Sequence, residues 1–320
     1  DRYVDEHNRY FEVVDVRGRQ ARARLLEVLD LSAYTRPARR AGLPFLARVR
    51  GPDTVAIYHT HSDESYVPTS GTDSEDWGDI YQVGETLKEA LEEQGVRVVW
   101  SRNNHNPRDA SSYIRSRSTV RELLRANPAT MIDVHRDALP AEHYRTTVRG
   151  EPMAKVRIVV GRQNQNRDAN FEYAKRIKAI ADERFPGLIK GIFLGRGNYN
   201  QDVGPRMILL EFGTHETSLQ DAQKAARLMA EVLPAAAGLA PGTGPGAGAQ
   251  IGGGALRTVL WLLVLGAGGV LGYLRLNKGS WSKVWSTLRG FLRRERGLRA
   301  GDGPDGPAGQ DGPAGPGDGA

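Results

Sequence analysis

Met131-Ile132-Asp133-Val134-His135-Arg136-Asp137 is an apolar run that turns abruptly to charge, and its reading decides the fold. Upstream, Val55-Ala56-Ile57-Tyr58 ends in the same manner, in His59-Thr60-His61-Ser62-Asp63-Glu64. A third run, Met207-Ile208-Leu209-Leu210, ends in Glu211-Phe212-Gly213. Three strand-like runs thus each deliver an imidazole or carboxylate at their C-terminal end. In an open α/β sheet, that edge is where ligands and substrates bind. The residue types are those of metal ligands and a general base, so the pattern implies a metallohydrolase with Zn2+ as the default metal.

Between and beyond these runs the pattern alternates. Strands are expected at 54–58, 96–100, 129–134, 156–160 and 207–211. Ile80, Val83, Leu87 and Leu91 recur at helical spacing in 79–94, with Gly95 as the stop. Ile114, Val120, Leu123 and Leu124 do the same in 110–126, as do Phe171, Ala174, Ile177 and Ile180 in 168–185. Strands alternating with helices of this length predict an α/β fold, an open and mostly parallel sheet with helices on both faces. Residues 51–238 are assigned to this domain, which is large enough for a full core. Residues 1–50 form a small N-terminal segment, read as a hairpin turning at His7-Asn8 and a short helix over 22–31. The chain opens at Asp1 rather than Met, as a processed or truncated chain would.

The C-terminal part changes character. Residues 239–255 are a Gly/Pro linker. Residues 256–276 contain TVLWLLVLGAGGVLGYL, uncharged and long enough to span a bilayer as a helix. The basic segment 277–300 follows, and its arginines predict a cytoplasmic C-terminus with residues 1–255 outside the cell membrane. Residues 301–320 form a collagen-like tail too short for a triple helix. The net charge of +6 is partly this juxtamembrane cluster, so the basic balance argues for a membrane and against nucleic acid as a partner. The absence of cysteine excludes disulfides and thiolate zinc sites.

His59, His61, Glu64, His135 and Glu211 supply the donors for three metal ligands and one proton-accepting carboxylate. The segments His59-Thr-His61-Ser-Asp-Glu64-Ser-Tyr66, Asp133-Val-His135-Arg136-Asp137, Tyr199-Asn200-Gln201 and Leu210-Glu211-Phe-Gly213 resemble, in that order, the signature of the stage II sporulation protein P family. The resemblance covers roughly residues 50–235. It implies an amidase-like fold and a zinc hydrolase related to the N-acetylmuramoyl-L-alanine amidases. Such enzymes cut peptidoglycan at the lactyl–alanine amide, and also at peptide cross-links, during engulfment. It further implies a lytic transglycosylase and a membrane scaffold as partners. By the same resemblance His61, Glu64 and His135 are the metal ligands, with His59 and Glu85 as alternatives, and Glu211 is the catalytic carboxylate. Arg136, Asp137, Asn200 and Gln201 are assigned to substrate binding.

The family is usually anchored by a helix before its catalytic domain, whereas the apolar segment here follows it. Two rival readings come from other classes. His59-x-His61-x-Asp63 resembles half of the metallo-β-lactamase signature, with Glu64 where a histidine is expected. A membrane-tethered scaffold that binds the wall without cutting it would need the same cleft but not Glu211.

Overall fold

The structure is a computed structural model that describes residues 1–18, 20–35 and 53–239. It begins with β1 (Arg2–Val4) and β2 (Arg9–Arg17), joined by a turn at the expected place. Asp5 Oδ1 accepts from the backbone N–H groups of His7 and Arg9, and Asn8 takes the left-handed conformation that its type tolerates. The helix expected over 22–31 is instead β3 (Gln20–Val28). All nine of its residues are exposed, so it has no apolar face to bury as a helix, and its backbone pairs along β2. The short helix α1 (Ser32–Thr35) follows.

From residue 53 onward come β4 (Thr54–Tyr58), α2 (Val67–Ser70), α3 (Ile80–Glu93), β5 (Arg97–Trp100), α4 (Ser112–Leu124) and β6 (Thr130–Asp137). A small hairpin, β7 (Arg145–Val148) and β8 (Glu151–Ala154), leads into β9 (Val156–Gly161). Then come α5 (Arg167–Arg184), β10 (Ile189–Gly195), β11 (Met207–Thr214) and α6 (Leu219–Ala237). Helix α6 is an addition to the elements expected from sequence. Its start is fixed by the Ser218 side chain accepting from the Asp221 N–H, a cap of about 1 kcal/mol, and its end by Gly238 at φ 76°.

One nine-stranded sheet runs β3-β2-β1-β10-β9-β11-β6-β4-β5. The expected mostly parallel sheet is corrected to a mixed one. β5, β4, β6 and β11 are mutually parallel and so are β9 and β10, but β9 lies antiparallel to β11, and β1 to β3 add antiparallel neighbours. The cause is local. A parallel neighbour requires a crossover, and the β7–β8 hairpin between β6 and β9 supplies no crossover helix. The antiparallel entry of β9 brings its first residues to the edge where β11 and β6 end.

β4 and β6 are buried along their whole length, as helices on both faces demand. Val55, Ile57, Ile132, Val134, Ile208 and Leu210 face the large core shared with α3, α5 and α6. Ala56, Tyr58, Met131 and Met207 face Val120 and Leu123 of α4. Each fully buried aliphatic side chain contributes roughly 1.5–3 kcal/mol, so the sheet centre is the most strongly determined part of the fold. No helix among the described residues is long and apolar enough to cross a membrane. The segment 256–276, with the basic segment and tail, lies outside the described residues.

Candidate metal centre

Strand geometry selects the site. Asp133 and His135 are two apart on β6 and share a face, opposite Ile132 and Val134 in the core. In register, His135 lies beside Glu211 on β11, and Glu211 lies beside Arg157 on β9. A row of three polar residues therefore crosses three strands on the face away from α3 and α6.

The loop after β4 brings the remaining donors. Glu64 is 1% exposed, and its two oxygens meet the two histidines: Oε1 lies 3.2 Å from His61 Nδ1, and Oε2 3.4 Å from His135 Nδ1. Oε2 also accepts from the Arg136 backbone N–H at 2.9 Å, which fastens the loop to β6. One donor atom each from His61, Glu64 and His135 lie within 4.8 Å of one another. Two imidazoles and one carboxylate at this spacing fit a divalent zinc-type ion with a coordination position left for water. Behind His135, its Nε2 sits 2.9 Å from Asp133 Oδ1, at ion-pair distance but off the hydrogen-bond line. Asp133 is itself fixed by the Thr60 N–H and hydroxyl at 2.8 and 2.7 Å. A carboxylate behind a ligating histidine is the usual outer support of a metal site.

The electrostatics agree with that fit. Burial pushes the His135 imidazolium toward neutrality, but the Asp133 and Glu64 carboxylates outweigh it and hold its pKa up at about 10. Burial pushes Glu64 the other way, and His135 and His61 overcome it, holding the carboxyl well below its usual range. The cluster thus gathers buried negative charge on Glu64 and Asp133, which a proton on His135 and the nearby Arg108 offset and which a bound cation would offset in the proton's place.

Glu211 stands apart from the cluster in a cavity of about 240 Å3 whose lining also includes His61, Glu64, His135 and Arg108. Its Oε2 accepts from Arg157 Nε at 2.5 Å and, more weakly, from the Tyr144 hydroxyl at 3.4 Å. Its Oε1 has no partner among the described residues. Arg157 continues to Asp137 Oδ2 at 2.8 Å, and the Tyr144 hydroxyl donates to that same oxygen at 2.6 Å. Burial raises the Glu211 pKa above the ordinary glutamate value, with Arg157 opposing.

The other expected site residues fall into place differently. His59 is no ligand in this structure. It is fully buried, donates from Nδ1 to the Val134 carbonyl at 3.2 Å, and accepts at Nε2 from Trp100 Nε1 at 3.0 Å. Burial holds it neutral, with a pKa pushed down to about 4. Both ring nitrogens are spent, which also removes the His-x-His pair on which the metallo-β-lactamase reading depends. Glu85 is exposed on α3 and is not in the cluster. Arg136 is 4% exposed and donates to the backbone carbonyls of Ser65, Asp73 and Asp137, so it braces loops. Asp137 lines the cavity but is engaged by Arg157 and Tyr144. Asn200 and Gln201 are buried. Asn200 donates to the Tyr113 carbonyl and Ser116 hydroxyl, while Gln201 accepts from the Gly161 N–H and donates to the Val159 carbonyl. The site also holds Asp133, Arg157, Tyr144 and Arg108, to which sequence reasoning assigns no role. Asp133 carries a usable signal, an acid inside an apolar strand two residues before a candidate ligand.

Stage II sporulation protein P of Bacillus subtilis (strain 168) is 33% identical over 199 residues, 56% of this chain. The chain spans about half the length of that relative, 50%. Among solved structures, the Ami1 N-acetylmuramyl-L-alanine amidase of Mycobacterium smegmatis is similar at a TM-score of 0.41 and 17% identity, over 59% of this chain and 98% of that one. The AmiC2 N-acetylmuramoyl-L-alanine amidase of Nostoc punctiforme is similar at a TM-score of 0.38 and 12% identity, over 59% and 97%. The family described as Stage II sporulation protein P (SpoIIP) matches residues 44–234, a stretch that contains all four motifs and the whole cluster, and the chain belongs to that family.

Proposed function

We propose that this protein is a zinc-dependent peptidoglycan hydrolase that cuts the N-acetylmuramoyl–L-alanine amide, and peptide cross-links, during sporulation. One observation carries the reading: Glu211, with one oxygen held by Arg157 and the other without a partner among the described residues, lines the same cavity as the His61, Glu64 and His135 cluster. Family membership supports the sporulation setting, and the motif resemblance supports the choice of bond.

His61, Glu64 and His135 would hold the ion, and the chemistry it supplies when bound is Lewis acidity toward a carbonyl oxygen and toward water. The chain's own residues do the rest. Glu211 Oε1 takes a proton from the attacking water as the new C–O bond forms. It returns that proton to the alanine nitrogen as the C–N bond breaks, leaving a lactyl carboxylate and a free stem-peptide amine. Arg157 holds Oε2 and leaves the other oxygen to take the proton. Asp133 orients His135. Arg108, 38% exposed at the rim beside Glu64, is placed to meet a stem-peptide carboxylate.

The same proposal assigns residues 51–238 to catalysis and 239–255 to a linker. It tethers them through 256–276 in the cell membrane, with the catalytic part outside and the basic 277–300 segment and tail inside. A lytic transglycosylase and a membrane scaffold are its proposed partners. The test is to incubate the full chain with purified sacculi, with and without chelator, and read released fragments by mass spectrometry. Stem peptides with a new L-alanine amino terminus, lost with chelator and restored by zinc, support the amidase. Intact sacculi carrying bound protein and zinc overturn it in favour of the scaffold.

A further inference from the structure

Beside the candidate metal centre lies a second cavity of about 280 Å3, lined by Tyr113, Ile114, Arg117, Asn198, Tyr199 and neighbouring backbone. Tyr113 and Tyr199 line both cavities, so the two adjoin across these side chains. The Tyr113 ring meets His61 edge-on at 5.6 Å on one side and Tyr199 at 5.5 Å on the other. We propose that this second cavity is a sugar subsite, in which Tyr199, Tyr113 and Ile114 receive a pyranose ring of the glycan strand. The assignment rests on the hydrolase reading above and extends it to the part of the substrate that is not cut.

The backbone conformation points there first. Tyr199 and Asn200 sit consecutively at φ 55° and 54°, the left-handed region that a bulky side chain rarely adopts. Something must hold them there. Asn200 does so by donating to the Tyr113 carbonyl and the Ser116 hydroxyl at 3.0 Å each, and Gln201 by its two bonds to β9 backbone. The Tyr199 ring then lies over Gly197, where a Cβ would come within 2.6 Å of it. Strain fixed by buried amides, with a partly exposed aromatic as its product, is typical of ligand clamps. The Tyr199-Asn200-Gln201 motif is therefore a positioning device: the amides hold, and the tyrosine meets the ligand.

The chemistry of the lining points the same way. A pyranose offers a C–H face that packs on aromatic rings and hydroxyls that need polar partners at the rim. Ile114 is 73% exposed, an unusual position for a large aliphatic side chain. Arg117 is gripped by both oxygens of Asp202, at 2.9 and 2.5 Å, whereas Arg108 touches Glu64 only at 3.3 Å, so the arginine of this subsite is the more firmly engaged of the two. Arg108 instead lines the metal-centre cavity, against Glu64. A substrate with a neutral sugar on one side of an amide and an acidic peptide on the other matches this division. Its amide would fall between them, beside His61.

The test is a titration of the full chain with the N-acetylglucosaminyl–N-acetylmuramic acid disaccharide, which has no scissile amide, followed by saturation-transfer NMR and calorimetry. Wild-type chain should bind, and Tyr199→Ala and Ile114→Asp should each weaken binding roughly tenfold. Ile114 is at the surface, so its variant keeps the test valid should Tyr199→Ala fail to fold. Lack of wild-type binding, or equal affinity in folded Tyr199→Ala and Ile114→Asp, overturns the subsite. So does a free stem peptide that loses affinity in these variants while the disaccharide does not. Because nothing is hydrolysed, failure here is distinct from failure of the hydrolase, which the sacculus digestion tests independently.

Discussion

Replacing Arg157 by Met removes the cation that bridges two buried carboxylates while keeping most of the side-chain volume. Arg157, Glu211 and Asp137 are each at most 14% exposed, so solvent does little to screen the loss. Breaking a buried pair by deleting one partner costs about 3–5 kcal/mol, because the remaining charge stays in place uncompensated. The cost must depend on pH. Glu211 already has a raised pKa, so in the folded protein its charge is unfavourable, an effect absent below the unfolded value and complete above the folded one. Arg157→Met raises that pKa further, so its penalty is largest near neutrality and shrinks on acidification toward the ordinary glutamate range. Urea denaturation of wild type and variant at several pH values measures this directly. Adding Glu211→Gln to Arg157→Met should recover part of the loss. A penalty below about 1 kcal/mol, or one as large in acid as at neutrality, would refute the reasoning.

Four other variants have expected outcomes. His135→Ala should abolish stoichiometric zinc binding, read by metal analysis after dialysis, whereas Trp100→Phe should leave it intact while costing about 1–3 kcal/mol from the orphaned His59 nitrogen. Asp133→Asn should keep the metal but weaken it by roughly 10–100-fold in a chelator competition. Gly84→Ala should destabilise by about 1–3 kcal/mol in thermal melts, since its Cβ would stand 2.5 Å from the buried His59 ring.

The strands that carry the ligands are legible in the sequence because their faces are settled by simple contrast. Val55 to Tyr58, Met131 to Val134 and Met207 to Leu210 are mostly apolar on both faces, and the first polar residues after such a run have to lie at its edge. The amphipathic helices α3 and α5 are legible by period, and so is α4 except for Ile114, which the spacing puts on the buried face and the structure leaves exposed. The antiparallel course of β9 is not, since direction is set by what lies between strands, and the β7–β8 hairpin has a weak pattern. Arg157 is hidden with it: an arginine inside a strand usually points to water, and only pairing beside Glu211 makes it part of a site. His59 and His61 look equivalent in sequence. They part because the chain past Tyr58 sends one ring to Trp100 and the other to Glu64. Asn200 and Gln201 are legible as special but not in their role, because an amide serves a substrate or a backbone equally well until its burial is known.

The row from Arg157 through Glu211 to His135 has a consequence for the order of assembly. Its members come from β9, β11 and β6, and the partners His61 and Glu64 follow β4, so no local stretch of chain holds even half of the machinery. The row exists only when β11 has slotted between β6 and β9, a contact between distant segments that forms late when loop closure governs folding. A newly made or partly unfolded chain is therefore inert by construction. Any chemistry this protein performs begins only where the sheet has closed around its last strand.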